Sequence, residues 1–433
     1  MKMESHRAQR RRMEEMGRIM RLVGYFAVNY AGWPRPQGQL RVINRRAIAC
    51  AAGADGVCSR RAKNEMKVPF FIPALLALTM SLRAAPDDVS YRLRRVQRGT
   101  KVPAIAAAVI VDGQLAAFGA TGLRSVDDDA PVTPEDVWHL GSCTKSMTAS
   151  VAAMLVEDGV LRWDSTIGEI FHDLGGAIRP AWRDVTLEQL LVHRGGAPHD
   201  PPADLWKAAC ERQGTATEQR RVFTAGLLAT EPEKPPGTHW IYSDCGYALA
   251  GAMMERATGQ AWETLMRERL FVPLGLKSAG FGEPATPDKL DQPWGHTGEE
   301  APYNPIAPGV PEADNPPAIG PAATVHMSIS DFARYAAWHV AGARGEARLL
   351  SAESFKKLHT PAEKQEYAMG WVVTKRRWAG GTALNHTGDN TMFYAVMWLG
   401  PTANTCFVAA CNADGPEASE ACDEAITMLI NDY

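Results

Sequence analysis

The chain has no Cys-x-x-Cys pair and no His-Glu-x-x-His, and its 11 histidines are scattered, so spacing specifies neither a zinc site nor a dithiol redox centre. It has no apolar run of comfortable membrane-spanning length; the nearest, within Met66 to Pro86, is short and broken by Pro69 and Pro73. It also lacks a basic body. The net charge of −3 hides a split, because residues 1–65 hold 14 Lys+Arg against 5 Asp+Glu and the remainder is acidic by 12 charges. An acidic body argues against a nucleic-acid surface and for no nucleic-acid partner. What is present is an ordinary globular composition, 433 residues at 45% hydrophobic and 22% charged, long enough for a large core in one or two domains.

The basic end divides in two. Arg10-Arg11-Arg12, Arg45-Arg46 and Arg60-Arg61 punctuate a stretch without sustained hydrophobic periodicity. Met66-Lys67, an apolar run and Ala84-Ala85 then supply the basic start, hydrophobic middle and small-residue end of a secretory signal peptide. The preferred division is a leader over 1–65, upstream sequence read in frame, a signal peptide over 66–85 and a domain over 86–433. It implies a periplasmic or secreted protein, although Leu82-Arg83-Ala84 and Arg83-Ala84-Ala85 are both imperfect cleavage sites. A basic cytoplasmic tail ahead of a signal anchor also fits the positive-inside rule and would leave the protein membrane-anchored. Membrane association would run only through this leader. Six of the eight cysteines (Cys143, Cys210, Cys245, Cys406, Cys411, Cys422) follow it, which permits disulfides in an exported chain without assigning any.

The chain is organised around Gly141-Ser142-Cys143-Thr144-Lys145-Ser146. Met147, Val151, Met154 and Leu155 recur at helical spacing and Gly159 follows where a helix would stop, which puts Ser142 at a helix N-terminus. Unpaired N–H groups and a positive partial charge collect there, suiting a hydroxyl that becomes an alkoxide and a carbonyl oxygen that becomes an oxyanion. Lys145 lies on the same face, and burial would lower its pKa and make it an activator of the serine. S-x-x-K alone equally describes a capping serine beside a snorkelling lysine. Ser354-Phe355-Lys356-Lys357 fits the same pattern, but among Glu353 and His359 it reads as a solvated helix face. Cys143 reads as a small packing residue.

Around this helix the pattern is mixed. Apolar runs on either side of Asp112-Gly113 predict a hairpin. Thr186 to Gly196 reads as a helix ending in glycines, and Cys245 to Thr258 as another closed by Gly259. Residues 287–323 form a Pro-, Gly- and Asn-rich loop expected to rim a cleft. A helix near Ser330 would have Asp331 supporting its start. Strand-like runs over 369–374, 381–388, 392–399 and 405–412 precede a last helix near 416–430. Strands at both ends with helices between predict an α+β fold, an antiparallel sheet flanked by helices with an inserted all-helical region.

Two further motifs complete the chemistry. Tyr242-Ser243-Asp244 precedes a helix, and Asn385-His386-Thr387-Gly388-Asp389 ends a strand whose small Thr-Gly pair lets an extended substrate approach an edge. The copy His296-Thr297-Gly298 sits in the Pro-rich loop without a strand pattern and is set aside. In the order S-x-x-K, Y-x-N-like, H-T-G, the chain from about Val89 onward resembles the serine hydrolases of the class C β-lactamase and penicillin-binding-protein family, with its DD-peptidases, amidases and family VIII esterases. Leu190-Leu191-Val192-His193, Pro236-Gly237-Thr238 and Leu274-Gly275-Leu276 extend the resemblance.

The resemblance implies a β-lactamase/DD-peptidase-like fold, Ser142 as acylated nucleophile, Lys145 as its activating partner and Tyr242 as proton shuttle, either as a phenolate or through Lys145. The oxyanion hole would be the N–H groups of Ser142 and Asp389, with Asp244, His386, Thr387 and Gly388 beside the substrate. It implies no metal and no organic cofactor, and a small-molecule or peptide ester or amide as substrate. Two positions depart from the family: His386 stands where typical β-lactamases of this kind have lysine, and Asp244 where asparagine is usual. An ionised aspartate cannot donate a hydrogen bond but can form a charge pair with Lys145, so an esterase or DD-peptidase/amidase is expected ahead of an efficient β-lactamase. The alternative is a catalytically weak penicillin-binding-like protein that binds cell-wall peptide.

Overall fold

Asp112 and Gly113 adopt φ values of 50° and 72°, the left-handed pair that a tight two-residue hairpin needs if its twist is to match its strands. The computed structural model describes residues 85–433 apart from 299, 347, 363 and 364; the leader and all of the signal segment but Ala85 lie outside the described residues. Strand β1 (Asp87–Asp88) and helix α1 (Ser90–Thr100) come first, and β2 (Ala104–Val111) and β3 (Gln114–Gly122) are the hairpin arms. Short strands β4 (Val137–His139), β5 (Gly280–Phe281), β6 (Gly295–Thr297), β7 (Asn304–Ile306) and β8 (Val325–Ser328) are scattered through the middle. Strands β9 (Val372–Arg376), β10 (Gly381–Asp389), β11 (Tyr394–Gly400) and β12 (Thr405–Cys411) close the chain.

Both ends build one seven-stranded sheet in the order β1-β3-β2-β12-β11-β10-β9. All its pairings are antiparallel except the short β1, which lies parallel to β3. The centre is apolar on both faces, as a sheet between helices must be. Ile105, Ala107 and Val109 pair with Cys411, Ala409 and Phe407, and this face packs on Leu93 and Val96 of α1 and on Ala421, Cys422, Ala425 and Leu429 of the last helix.

Further helices include α2 (Thr144–Glu157), α3 (Leu187–Leu191), α4 (Ala203–Cys210), α5 (Ala216–Leu228), α6 (Asp244–Thr258), α7 (Ile329–Ala343), α8 (Ala352–His359) and α9 (Pro416–Asp432), which is that last helix. Helix α7 packs on β12, β11 and β2. Ser328 caps it, accepting from the Asp331 N–H, while Asp331 also accepts from Ser278. Helices α3 to α6 are the inserted helical region.

Arg220 ties that region together. It is fully buried on α5, and its guanidinium donates to Glu255 of α6, to Glu263 at 2.6 Å and to the Pro317 carbonyl at 3.0 Å. Removing one partner of a buried pair strands the other, so Arg220→Ala is expected to cost about 3–5 kcal/mol in denaturant unfolding. A loss under about 1 kcal/mol, the range of exposed pairs, would show that these carboxylates find water instead.

Four local expectations need correction. The helix after Thr186 ends at Leu191 rather than at the glycines, because His193 itself turns left-handed with φ of 60°. The His296-Thr297-Gly298 copy does touch a strand, β6, where buried His296 bonds the Asn412 carbonyl at 2.8 Å and serves packing. The loop over 287–323 contains β6, β7 and the short helix Gly320–Ala323. His359 turns inward from α8 to bond His339 at 2.9 Å, whereas Ser354 and Lys357 bond surface carboxylates as expected of a solvated face.

Candidate functional site

Gly141 to Cys143 form a tight 3₁₀ turn leading directly into α2. Ser142 is half-buried at this helix start, and α2 is buried from Thr144 through Leu155, so Lys145 three residues on has no route to solvent. Its Nζ donates to Ser142 Oγ at 2.8 Å, to Asp244 Oδ1 at 2.6 Å and to the Ala322 carbonyl at 3.3 Å. Three acceptors satisfy the three protons of an ammonium. This corrects the expectation of a lowered lysine pKa. Burial does act downward, but Asp244 and Tyr242 together outweigh it and hold Lys145 above its usual range.

Asp244 opens α6, where Ser243 caps the helix by accepting from Gly246 N–H at 3.0 Å. Tyr242 precedes the cap and lays its ring 4.6 Å from Lys145 Nζ. Burial raises its phenol pKa; the Lys145 charge and interactions with Lys145 and Ser142 act the other way but are outweighed. The phenol form is therefore the resting one, and a resting phenolate is not supported.

Strand β10 crosses the helix start. It is the penultimate strand rather than the expected edge, but β9 pairs only with Gly381–Asn385, whereas β11 continues along β10 to Asp389. The last four residues, His386 to Asp389, thus have a strand on one side only. Gly388 lies against the turn. A Cβ there would sit 2.1 Å from the Leu140 oxygen and 2.5 Å from Ser142 N, and one at Gly141 2.5 Å from Asp389 N. The absence of side chains at these two positions is what brings the Ser142 and Asp389 amides to one place. Gly388→Ala is expected to push β10 off the turn and lower kcat/KM for any substrate by about 100-fold with the circular dichroism spectrum retained. Unchanged kcat/KM would mean this contact does not set the site geometry.

His386 is buried and Thr387 exposed. The imidazole Nδ1 donates to the Thr387 carbonyl at 2.5 Å, so Nε2 accepts from the Tyr367 hydroxyl at 3.0 Å. That tautomer is neutral, and burial together with the Lys145 charge pushes the pKa down to about 3. Cys143, fully buried with Sγ 3.6 Å from the His386 carbonyl, is the packing residue expected. The proline-rich segment does wall the site: Ala322 receives Lys145, Pro321 receives Thr148 at 2.7 Å, and Asp314 accepts from Asn390 at 3.2 Å.

Three contributors carry no local signal of their role. Tyr367 sits in an irregular stretch before β9. Trp240 is 42% exposed beside Tyr242, with ring centroids 6.3 Å apart. His193 accepts from Ile241 N–H on its carbonyl at 2.9 Å and from Ser243 N–H on Nδ1 at 3.1 Å, gripping both neighbours of Tyr242 while its ring packs 4.5 Å from that tyrosine. Burial and the Lys145 charge keep this imidazole neutral. Its motif was visible in the sequence; its hold on Tyr242 was not, since the two are far apart in the chain. Among the described residues no three His, Cys, Asp or Glu side chains converge as metal ligands do.

Ser142, Lys145, Tyr242, Asp244 and the His386–Asp389 edge are thus in one place. Penicillin-binding protein 4 of Amycolatopsis lactamdurans is 31% identical over 257 residues, covering 58% of this chain and 64% of that protein. The lovastatin esterase of Penicillium rubens is 30% identical over 197 residues, covering 41% of this chain and 48% of the esterase. The chain thus spans between about half and two thirds of the length of the curated relatives it matches. The octameric penicillin-binding protein homologue from Pyrococcus abyssi superimposes with a TM-score of 0.64 at 22% identity over 79% of this chain and 77% of that one, which speaks to the fold. The Beta-lactamase family model matches residues 92–430, nearly the whole described region, and the chain belongs to the Beta-lactamase family.

Proposed function

We propose that this protein is a serine hydrolase that cleaves an ester or amide through an acyl-Ser142 intermediate. The observation that carries the reading is the charged Lys145 Nζ at 2.8 Å from Ser142 Oγ, at a helix start whose amide meets that of Asp389 across Gly388. Ser142 Oγ attacks the carbonyl carbon while its proton passes to the Tyr242 oxygen, and the phenol proton passes on to the leaving oxygen or nitrogen as that bond breaks. A phenol that accepts and donates in one step never becomes a full phenolate, which suits its raised pKa. Lys145 stabilises the charge that develops on Oγ, and the two amides take the carbonyl oxygen. Water then attacks the acyl-serine by the same route in reverse, releasing the acid.

Ester or simple amide chemistry is favoured over efficient β-lactamase activity by His386, which is neutral, and by Asp244, whose near oxygen is taken up by Lys145. The lovastatin esterase relative is in keeping with that preference. The reading includes export, resting on the three-part pattern after Met66; terminal sequencing of exported material is expected to begin between Ala84 and Asp87, and an intact Arg10-Arg11-Arg12 segment on membrane-bound protein would establish the anchored alternative. The test of the reaction is intact-protein mass spectrometry after exposure to activated esters, D-Ala-D-Ala peptides and β-lactams, with the adduct mapped by peptide. An adduct on Ser142 is expected. Neither adduct nor turnover with any of them would leave a cleft that binds peptide without cleaving it.

A further inference from the structure

Lys145 and Asp244 neutralise each other at 2.6 Å. Asp389 has no such partner: it is exposed at the open end of β10, and no cation lies within ion-pairing distance of its carboxylate among the described residues. Burial first, and then the Asp244 charge, push its pKa up, while the Lys145 charge across the cleft acts the other way; behind it the Asp414 carboxyl is pushed up to about 7 by burial and by the Asp389 charge. The site around Ser142 therefore carries a surplus negative charge, and neutral His386 stands where typical β-lactamases of this kind have a lysine.

A second, separate feature points the same way. Trp240 leaves 42% of its surface exposed at the lip, its ring within 6.3 Å of Tyr242 and 5.9 Å of Tyr367. An exposed indole over an anionic cleft is the combination that receives an organic cation, which a ring face attracts and a carboxylate steers. Resting on the hydrolase reading above, we propose that the cleft selects esters and amides bearing a cationic group, a primary or quaternary ammonium, drawn in by Asp389 and received by Trp240, and disfavours substrates bearing a free carboxylate.

The test uses two series of isosteric esters, because the charge could sit on either side of the scissile bond. In one the acyl group varies, as 4-nitrophenyl esters of 4-(trimethylammonio)butanoate, 5,5-dimethylhexanoate and glutarate. In the other the alcohol varies, as phenylacetyl esters of choline, 3,3-dimethylbutanol and 3-hydroxypropanoate. In at least one series kcat/KM is expected to fall from cation to neutral to anion, spanning about 10-fold or more at low salt and narrowing as salt screens the field. Asp389→Asn should shrink the cation-to-anion ratio several-fold, and Trp240→Ala the cation-to-neutral ratio. Equal rates across charge in both series, or a ratio that neither substitution moves, overturns the proposal. If no ester of either series is cleaved, including the neutral ones, the hydrolase reading fails. Calorimetric titration of the wild-type protein with butyltrimethylammonium and with hexanoate then decides the charge preference by itself: tighter binding of the cation upholds it, and equal or reversed binding overturns it.

Discussion

Ser142→Ala should lower kcat/KM for any ester or amide that the protein cleaves by about 10⁴-fold or more, with the fold intact. The loss should be this large because no other hydroxyl among the described residues shares the geometry. Ser146, one turn away, gives its hydroxyl proton to the Cys143 carbonyl at 2.9 Å and accepts from Tyr335 at 2.8 Å, so it is occupied and buried. Ser354, the other S-x-x-K serine, bonds Glu157 on the outside of α8. The stability cost should be small, since Ser142 is half-buried and gives up one bond from Lys145, which keeps its two other acceptors. Activity within a few-fold of wild type would return Ser142 to a helix-start role and remove the acyl-enzyme with it.

The second large effect is expected at the pair that moves and holds protons. Tyr242→Phe keeps the ring against His193 and Lys145 but removes the oxygen through which the serine proton leaves, and about 10³-fold in kcat is expected, the range for a lost general acid–base group. Asp244→Asn reads the same site through its charge. In the wild type the lysine pKa is raised, so the ammonium persists through the neutral and mildly alkaline range and the rate should show no lysine transition there. Without the carboxylate, burial dominates and the lysine pKa falls, bringing its deprotonation into the measurable range. The pH–kcat/KM profile of the variant should therefore gain a transition below the ordinary lysine value. The restored amide donor should also shift selectivity from simple esters toward β-lactams. An unchanged profile and an unchanged ester-to-β-lactam ratio would reduce Asp244 to a helix-start residue.

How much of this could be read from the chain alone follows from the range of the interactions. The hairpin at Asp112-Gly113, the buried α2 and the α6 stop at Gly259 are fixed by neighbours within a few residues, and periodicity and turn residues reported them. The charge of Lys145 is different, because burial and a carboxylate 99 residues away oppose each other. The sequence suggested both influences but not which prevails. The open edge of β10 depends on where β9 stops pairing, a register between strands that no local pattern encodes. Tyr367 and Trp240 were invisible for a similar reason: an aromatic residue in a loop has no periodicity to betray the cleft it faces.

The pairing of β2 with β12 has a consequence for how the chain is made. Thr405 Oγ1 donates to the Ile110 carbonyl across 295 residues, at the centre of the sheet. Contacts of such sequence separation form slowly, because a long loop must close before they contribute. During synthesis the helical contacts of the middle can settle early, whereas β2 must wait for the last strand to emerge. In that interval Ala104–Val111 is an apolar strand with one unpaired flank, the type of edge that captures strands from other chains. A ribosome that stalls or terminates before Thr405 therefore releases a chain with that edge still unsheathed.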